Sequence, residues 1–225
     1  MKNFKIKRLL SACISLGFLF IFGTSSALSE ENPQKFLIPP SIQKTSVSKP
    51  KRVKSGEEIP NWVARWELAR VLSYAKRYDE SITEYGKVLK EKPDLVEAKV
   101  ELAKVLFWKG DGKTALKTLE QIPPKNITGD TKVLMADLFV TQKDYGKAAP
   151  LYRAHLASHP EDQSTRLKLA EMLSWEKEYD ASLTEYRKIL KARPDDIQVR
   201  RRYAFVLIWA GKHSEAASEL KKTLN

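Results

Sequence analysis

Residues 163–194 read QSTRLKLAEMLSWEKEYDASLTEYRKILKARP, and this stretch decides the fold. It holds two apolar runs at helical spacing: Leu167, Leu169, Ala170 and Leu173, then Leu183, Tyr186, Ile189 and Leu190. Glu176-Lys177-Glu178 between them offers nothing to bury, and Pro194 stops the second helix. Two short amphipathic helices joined by a polar turn cannot hide their apolar faces alone. They need copies of themselves to stack against.

The copies are present. Ala69, Ala103, Ala136, Ala170 and Ala204 each follow Leu, Met or Tyr and stand 34, 33, 34 and 34 residues apart. Pro93, Pro160 and Pro194 close their units on the same beat. Units of this length, each helix–turn–helix, resemble the tetratricopeptide repeat. Counting from Trp62, Val96, Gly129, Gln163 and Ile197, the apolar seventh position holds Leu68, Leu102, Met135, Leu169 and Tyr203. The small twentieth holds Ser81, Ala115, Ala148, Ser182 and Ala216, and the aromatic after the turn is Tyr78, Tyr145 or Tyr179. Small residues belong where neighbouring helices nearly touch, because a longer side chain would overpack at roughly 1–3 kcal/mol. The resemblance implies an all-α, right-handed superhelical solenoid of about five repeats over 61–225. Its units run 62–95, 96–128, 129–162, 163–196 and 197–225.

Lys and Arg total 40 against 28 Asp and Glu, a formal charge of +12. Lys2, Lys5, Lys7 and Arg8 are the only charges among the first 29 residues, so the remainder carries +8. That excess favours anionic surfaces without selecting one. Cys13 is the sole cysteine, which leaves the repeats without a disulfide or a cysteine nucleophile.

Residues 1–29 run from a basic start through the apolar LLSACISLGFLFIF to the small residues Ser25, Ala27 and Ser29. This order is that of a secretory signal peptide cleaved after Ala27 or Ser29. The alternative is an uncleaved anchor, since Leu9–Leu28 is just long enough to span a bilayer. Either way the repeats are expected across the inner membrane, in the periplasm, touching a membrane only through that leader. Residues 30–60 hold five prolines, several serines and a basic run from Lys49 to Lys54, and read as a disordered tether.

In the second repeat Ile122-Pro123-Pro124 should end the second helix near Gln121, because a residue before proline is pushed out of helical geometry. The stacking is expected to change there, dividing two repeats from three. No polar solvating helix follows the fifth repeat, so its outer face calls for a partner or a second copy of the chain.

No catalytic constellation and no cofactor motif is visible, and an enzyme is not expected. His155 and His159 share a helix face at four-residue spacing, but no third ligand joins them, so no metal site is expected. Gly110-Asp111-Gly112 is a turn, and Asn126-Ile127-Thr128 would be glycosylated only in a eukaryotic secretory host.

The family's ligand surface is the concave groove lined by first helices. Carrying its positions onto this chain selects Trp66, Arg70, Tyr74, Lys104, Phe107, Trp108, Trp175, Arg201, Phe205 and Trp209 as partner-binding candidates. Groove charges are mixed, with Glu67, Glu97, Glu101, Asp130, Asp137 and Glu171 among the cations. A nucleic-acid groove needs a positive stripe among its aromatics, so nucleic acid is excluded as a partner. The recurring tryptophans have two readings, packing between repeats or a platform for ligands. On the platform reading, Trp175→Ala should weaken partner binding and leave the melting temperature unchanged. Trp66 and Arg70 stand where the family's carboxylate clamp has Lys and Asn. The phrase LSW-x3-Y-D-x-S-L-x-E-Y over 173–186 resembles repeats in periplasmic modules of exopolysaccharide export systems. The expectation is therefore a non-catalytic envelope scaffold that binds a protein or peptide in its groove. The alternative is a glycan-binding accessory of polysaccharide export or cell-wall assembly.

Overall fold

A computed structural model describes residues 58–224. The expected leader, and the tether as far as residue 57, lie outside the described residues. Within them ten α-helices follow one another: α1 (Asn61–Tyr74), α2 (Tyr78–Glu91), α3 (Val96–Lys109), α4 (Gly112–Glu120), α5 (Gly129–Thr141), α6 (Tyr145–Ser158), α7 (Gln163–Trp175), α8 (Tyr179–Ala192), α9 (Ile197–Trp209) and α10 (His213–Lys221). Each packs on the helix before and after it, giving five helix pairs stacked in chain order, the superhelical solenoid that the 34-residue period implies. No described helix is long and apolar enough to cross a membrane.

The small positions are where the helices touch. The five recurring alanines are fully buried, and so, to within 2 %, are Ser81, Ala115, Ala148, Ser182 and Ala216. Two of these sites tie the helices together as well: Ser81 Oγ donates to the Ala69 carbonyl at 2.7 Å and Ser182 Oγ to that of Ala170 at 2.6 Å. A hydroxyl spans this gap, whereas a leucine would not fit.

Every turn inside a repeat uses one left-handed residue, at the same place each time: Lys76, Gly110, Lys143, Lys177 and Gly211, with φ of 58°, 95°, 59°, 64° and 74°. Three are lysines, held in a conformation costing a residue with a Cβ roughly 1–2 kcal/mol. The pairing of the flanking helices imposes it.

The second repeat meets the expectation at its helix end but not in its core. Helix α4 has nine residues and stops at Glu120, as its two prolines require. Yet the core is not divided there. Ile122, freed from helical geometry, folds inward and is buried, while Pro123 and a 3-10 turn over Pro124–Asn126 pass outside. The largest apolar cluster runs straight across this junction, from Ala103 and Leu106 through Leu119, Ile122 and Leu138 to Leu169 and Leu173. Position seven also differs at the first repeat. Leu68 is 47 % exposed where Leu169 is 2 %, because no described repeat precedes α1 to cover it.

The histidine pair is part of this packing. The rings of His155 and His159 stack at 4.6 Å and 8°, and His155 Nε2 meets Asp162 Oδ2 at 2.9 Å. Gly129 of α5 faces them so closely that an added Cβ would lie 2.9 Å from His155 Nδ1. Asp162 also caps α7, accepting from the Thr165 amide at 3.0 Å and the Thr165 hydroxyl at 2.6 Å. Burial works against its charge, but the Thr165 bonds and His155 win and hold the carboxyl below its ordinary value. A depressed carboxylate stabilises the fold above its unfolded pKa and loses that contribution as pH falls through the folded value. Asp162→Ala should therefore lower unfolding free energy by about 1–2 kcal/mol at neutral pH. The deficit should shrink below pH 4, as denaturant titrations at two pH values would record.

Candidate functional site

The first helices α1, α3, α5, α7 and α9 meet one another along one side of the stack, the side expected to carry the groove. Along its floor, position nine of one repeat meets position six of the next. Arg70 Nε lies 3.5 Å from Glu101 Oε1, Lys168 Nζ donates to Asp137 Oδ2 at 2.7 Å, and Arg202 pairs with Glu171. In each case the partners stand 31 residues apart, joining adjacent repeats. Second helices reinforce this ladder from beneath. Tyr85 of α2 donates its hydroxyl to Glu101 Oε2 at 3.0 Å, and Tyr152 of α6 donates to Asp137 Oδ1 at 2.6 Å. Burial, then the adjacent carboxylates, push both phenols well above their ordinary pKa, so they act as neutral donors. Glu171 is pushed up by burial, against the opposing pull of Arg202 and Lys168.

This ladder decides what the candidate residues are free to do. Arg70 is buried, and its charge is met by Glu101 and, at 2.8 Å, by Glu67. Burial lowers its pKa, but these two carboxylates outweigh that and raise it. Trp66 donates from Nε1 to Glu101 Oε2 at 2.6 Å and stacks on Trp62 at 6.4 Å. Arg201 turns to the end of the last repeat, donating to the Thr223 carbonyl at 3.1 Å. Phe107 is half-buried against the main apolar cluster. Trp108 and Trp175 are half-buried too, and both pack on the tyrosine that opens the second helix of the preceding repeat. The ring centroids of Trp108 and Tyr78 lie 6.4 Å apart, and those of Trp175 and Tyr145 6.2 Å apart. At the junction between these, Gly112 and Thr141 occupy the same two positions and the contact is small.

Four candidates remain presented. Tyr74 is 57 % exposed, Phe205 44 % and Trp209 46 %, the last two side by side on α9 with ring centroids 6.5 Å apart. Lys104 is the fourth. It occupies position nine of the second repeat, where the facing position six is Leu134, so the ladder skips a rung and this ammonium has no partner among the described residues. Exposed acids Glu97 and Asp130 lie at the near rim, at position two of α3 and α5.

Sequence reasoning saw these charges as mixed and did not pair them. The signal was there, as opposite charges at 31-residue spacing, in Arg70/Glu101, Asp137/Lys168 and Glu171/Arg202. No group of three or more His, Cys, Asp or Glu side chains placed to hold a metal ion occurs among the described residues. The arrangement can bury an apolar segment against aromatic rings and offer it the Lys104 ammonium, which has no partner among the described residues.

The sequence profile described as Tetratricopeptide repeat matches residues 61–128 and 139–201, more than half of the chain. No curated protein matches. Among solved structures, the chain is similar to the MamA protein with a TM-score of 0.68 and 19 % identity, over 72 % of this chain and 90 % of that one. It is also similar to YrrB, described as a tetratricopeptide repeat protein with an unusual peptide-binding site. There the TM-score is 0.65 and identity 16 %, over 72 % and 84 % of the two chains. At these identities the likeness concerns the fold.

Proposed function

The chain belongs to the tetratricopeptide repeat family, and from that premise we propose that it is a non-catalytic scaffold of the bacterial envelope that binds a segment of a protein partner along its concave groove. The observation that carries this reading is the exposed pair Phe205 and Trp209, large apolar rings at groove positions of α9. Aromatic side chains of this kind dominate the energetics of protein interfaces. The ladder keeps the floor neutral and rigid, so that binding needs little reordering. The basic, apolar, small order of residues 1–29 supports export to the periplasm, cleaved or anchored. That YrrB carries a peptide-binding site on the same fold supports the choice of partner class.

Site-specific photocrosslinking in the native envelope tests it. A photoreactive residue at 209 or 74 is expected to capture a discrete protein, while one at Lys191 on α8 captures none. In binding to that protein, Trp209→Ala should lose about 2 kcal/mol, roughly 30-fold in Kd, with an unchanged melting temperature. Equal capture from both faces would sink the groove reading.

One observation favours a second reading. Two adjacent exposed rings also suit stacking on sugar rings, and the 173–186 phrase resembles modules of exopolysaccharide export. Saccharide rather than protein attached at position 209 would decide for a glycan-binding accessory.

A further inference from the structure

A wide-open depression of about 450 Å³ lies between α6, α7 and α8, at the interface of the third and fourth repeats, lined by second-helix residues as well as by Arg166 and Leu169 of α7. Its charged wall is built. Arg166, nine-tenths buried, donates from Nη1 to Glu185 Oε2 at 2.8 Å and from Nη2 to the Pro160 carbonyl at 2.7 Å. Lys188 Nζ donates to Glu185 Oε1 at 2.7 Å. On the other side stands Arg153, exposed and without a partner among the described residues. Three cations against one carboxylate leave the depression positive, over a floor of Leu156 and Leu169.

The next interface repeats this construction 34 residues on. Arg200 pairs with Glu219 and donates to the Pro194 carbonyl, and Lys222 donates to Glu219 at 2.6 Å. There the residue equivalent to Leu169 is Tyr203. Its hydroxyl accepts from Arg187 Nε at 3.1 Å, and the Arg187 guanidinium sits over the ring at 5.9 Å. Arg187 is the counterpart of Arg153. The phenol ring thus supplies, between repeats four and five, the partner and the bulk that are missing between repeats three and four.

We propose that the depression between α6, α7 and α8 binds a small aromatic anion, its ring resting on Leu169 toward the place that the outer edge and hydroxyl of Tyr203 take in the sister interface, and its anionic oxygen accepting from Arg153. The depression is wide enough for a single substituted ring with one face left to solvent. Cation–π attraction to the guanidinium favours an aromatic ring over a saturated one, and the net charge favours an anion. This site is separate from the groove and does not depend on what the groove holds.

Isothermal titration of the full chain with 4-hydroxybenzoate tests this, with cyclohexanecarboxylate and inorganic phosphate as probes lacking the aromatic ring. The expected result is saturable binding of 4-hydroxybenzoate, at least tenfold tighter than either control. Leu169→Tyr, which copies the sister interface, should abolish binding while keeping or raising the thermal midpoint. Arg153→Gln, at an exposed position, should weaken binding at least tenfold even if the Tyr variant proves unstable. Trp209→Ala should bind like the parent chain. No saturable binding, equal binding of phosphate, or undiminished binding by Arg153→Gln would each overturn the site.

Discussion

Tyr152→Ala is expected to lose about 3–5 kcal/mol of unfolding free energy, the usual loss on emptying an aromatic site in a core. Tyr152 is among the largest fully buried side chains, on the inner face of α6. Its truncation acts twice. It leaves a void beneath α5, and it takes away the hydroxyl that Asp137 accepts at 2.6 Å. Asp137 is itself buried, so Lys168, at 2.7 Å, would be left to satisfy it alone. Tyr152→Phe separates the two effects. It keeps the ring and deletes only the donor, and should lose about 1–3 kcal/mol, the range for a buried acceptor left short of a partner. Domains of this kind are stable by only about 5–15 kcal/mol, so the alanine variant should keep a markedly smaller margin against unfolding. Urea unfolding followed by circular dichroism measures both. A loss below about 1 kcal/mol for Tyr152→Ala would mean that Tyr152 does not support the ladder from beneath Asp137.

What was legible in the sequence was whatever the period controls. Alanine at position eight and a small residue at position twenty fix where helices touch, and all ten of these sites are buried as the spacing requires. The end of α4 was legible too, since Pro123 and Pro124 leave the chain no choice. What followed was not. Whether a freed Ile122 swings into the core or out to solvent depends on the neighbouring repeats, and its inward turn is what keeps the core continuous there. The groove candidates were placed by position, and position does not say which charges already have partners. Arg70 is spent on Glu101 and Glu67, whereas Lys104 is left free because Leu134 faces it. Nor did the lysines of the turns announce themselves. Lys143 and Lys177 are left-handed because the helices on either side set the chain direction, not because lysine favours it.

Trp175→Ala should lower stability by about 2 kcal/mol, a value set below the 3–5 kcal/mol of a fully buried tryptophan because this one is half-buried. This is the outcome that the packing reading of the recurring tryptophans requires and the platform reading does not. The ring of Trp175 packs on Tyr145 at 6.2 Å and against the main apolar cluster, so it joins repeat four to repeat three. Trp108 joins repeat two to repeat one through Tyr78 in the same way. Trp209 occupies the same register position, yet it is 46 % exposed and its near neighbour is Phe205 of its own helix. The two substitutions therefore form a test within one molecule. In thermal melts, Trp175→Ala should lower the midpoint by several degrees while Trp209→Ala leaves it in place, because only the first removes a ring pair between repeats. In partner binding the order should invert, with the larger loss at Trp209. Midpoints unchanged in both variants would show that position thirteen carries no packing role, and all three tryptophans would then belong to the ligand surface.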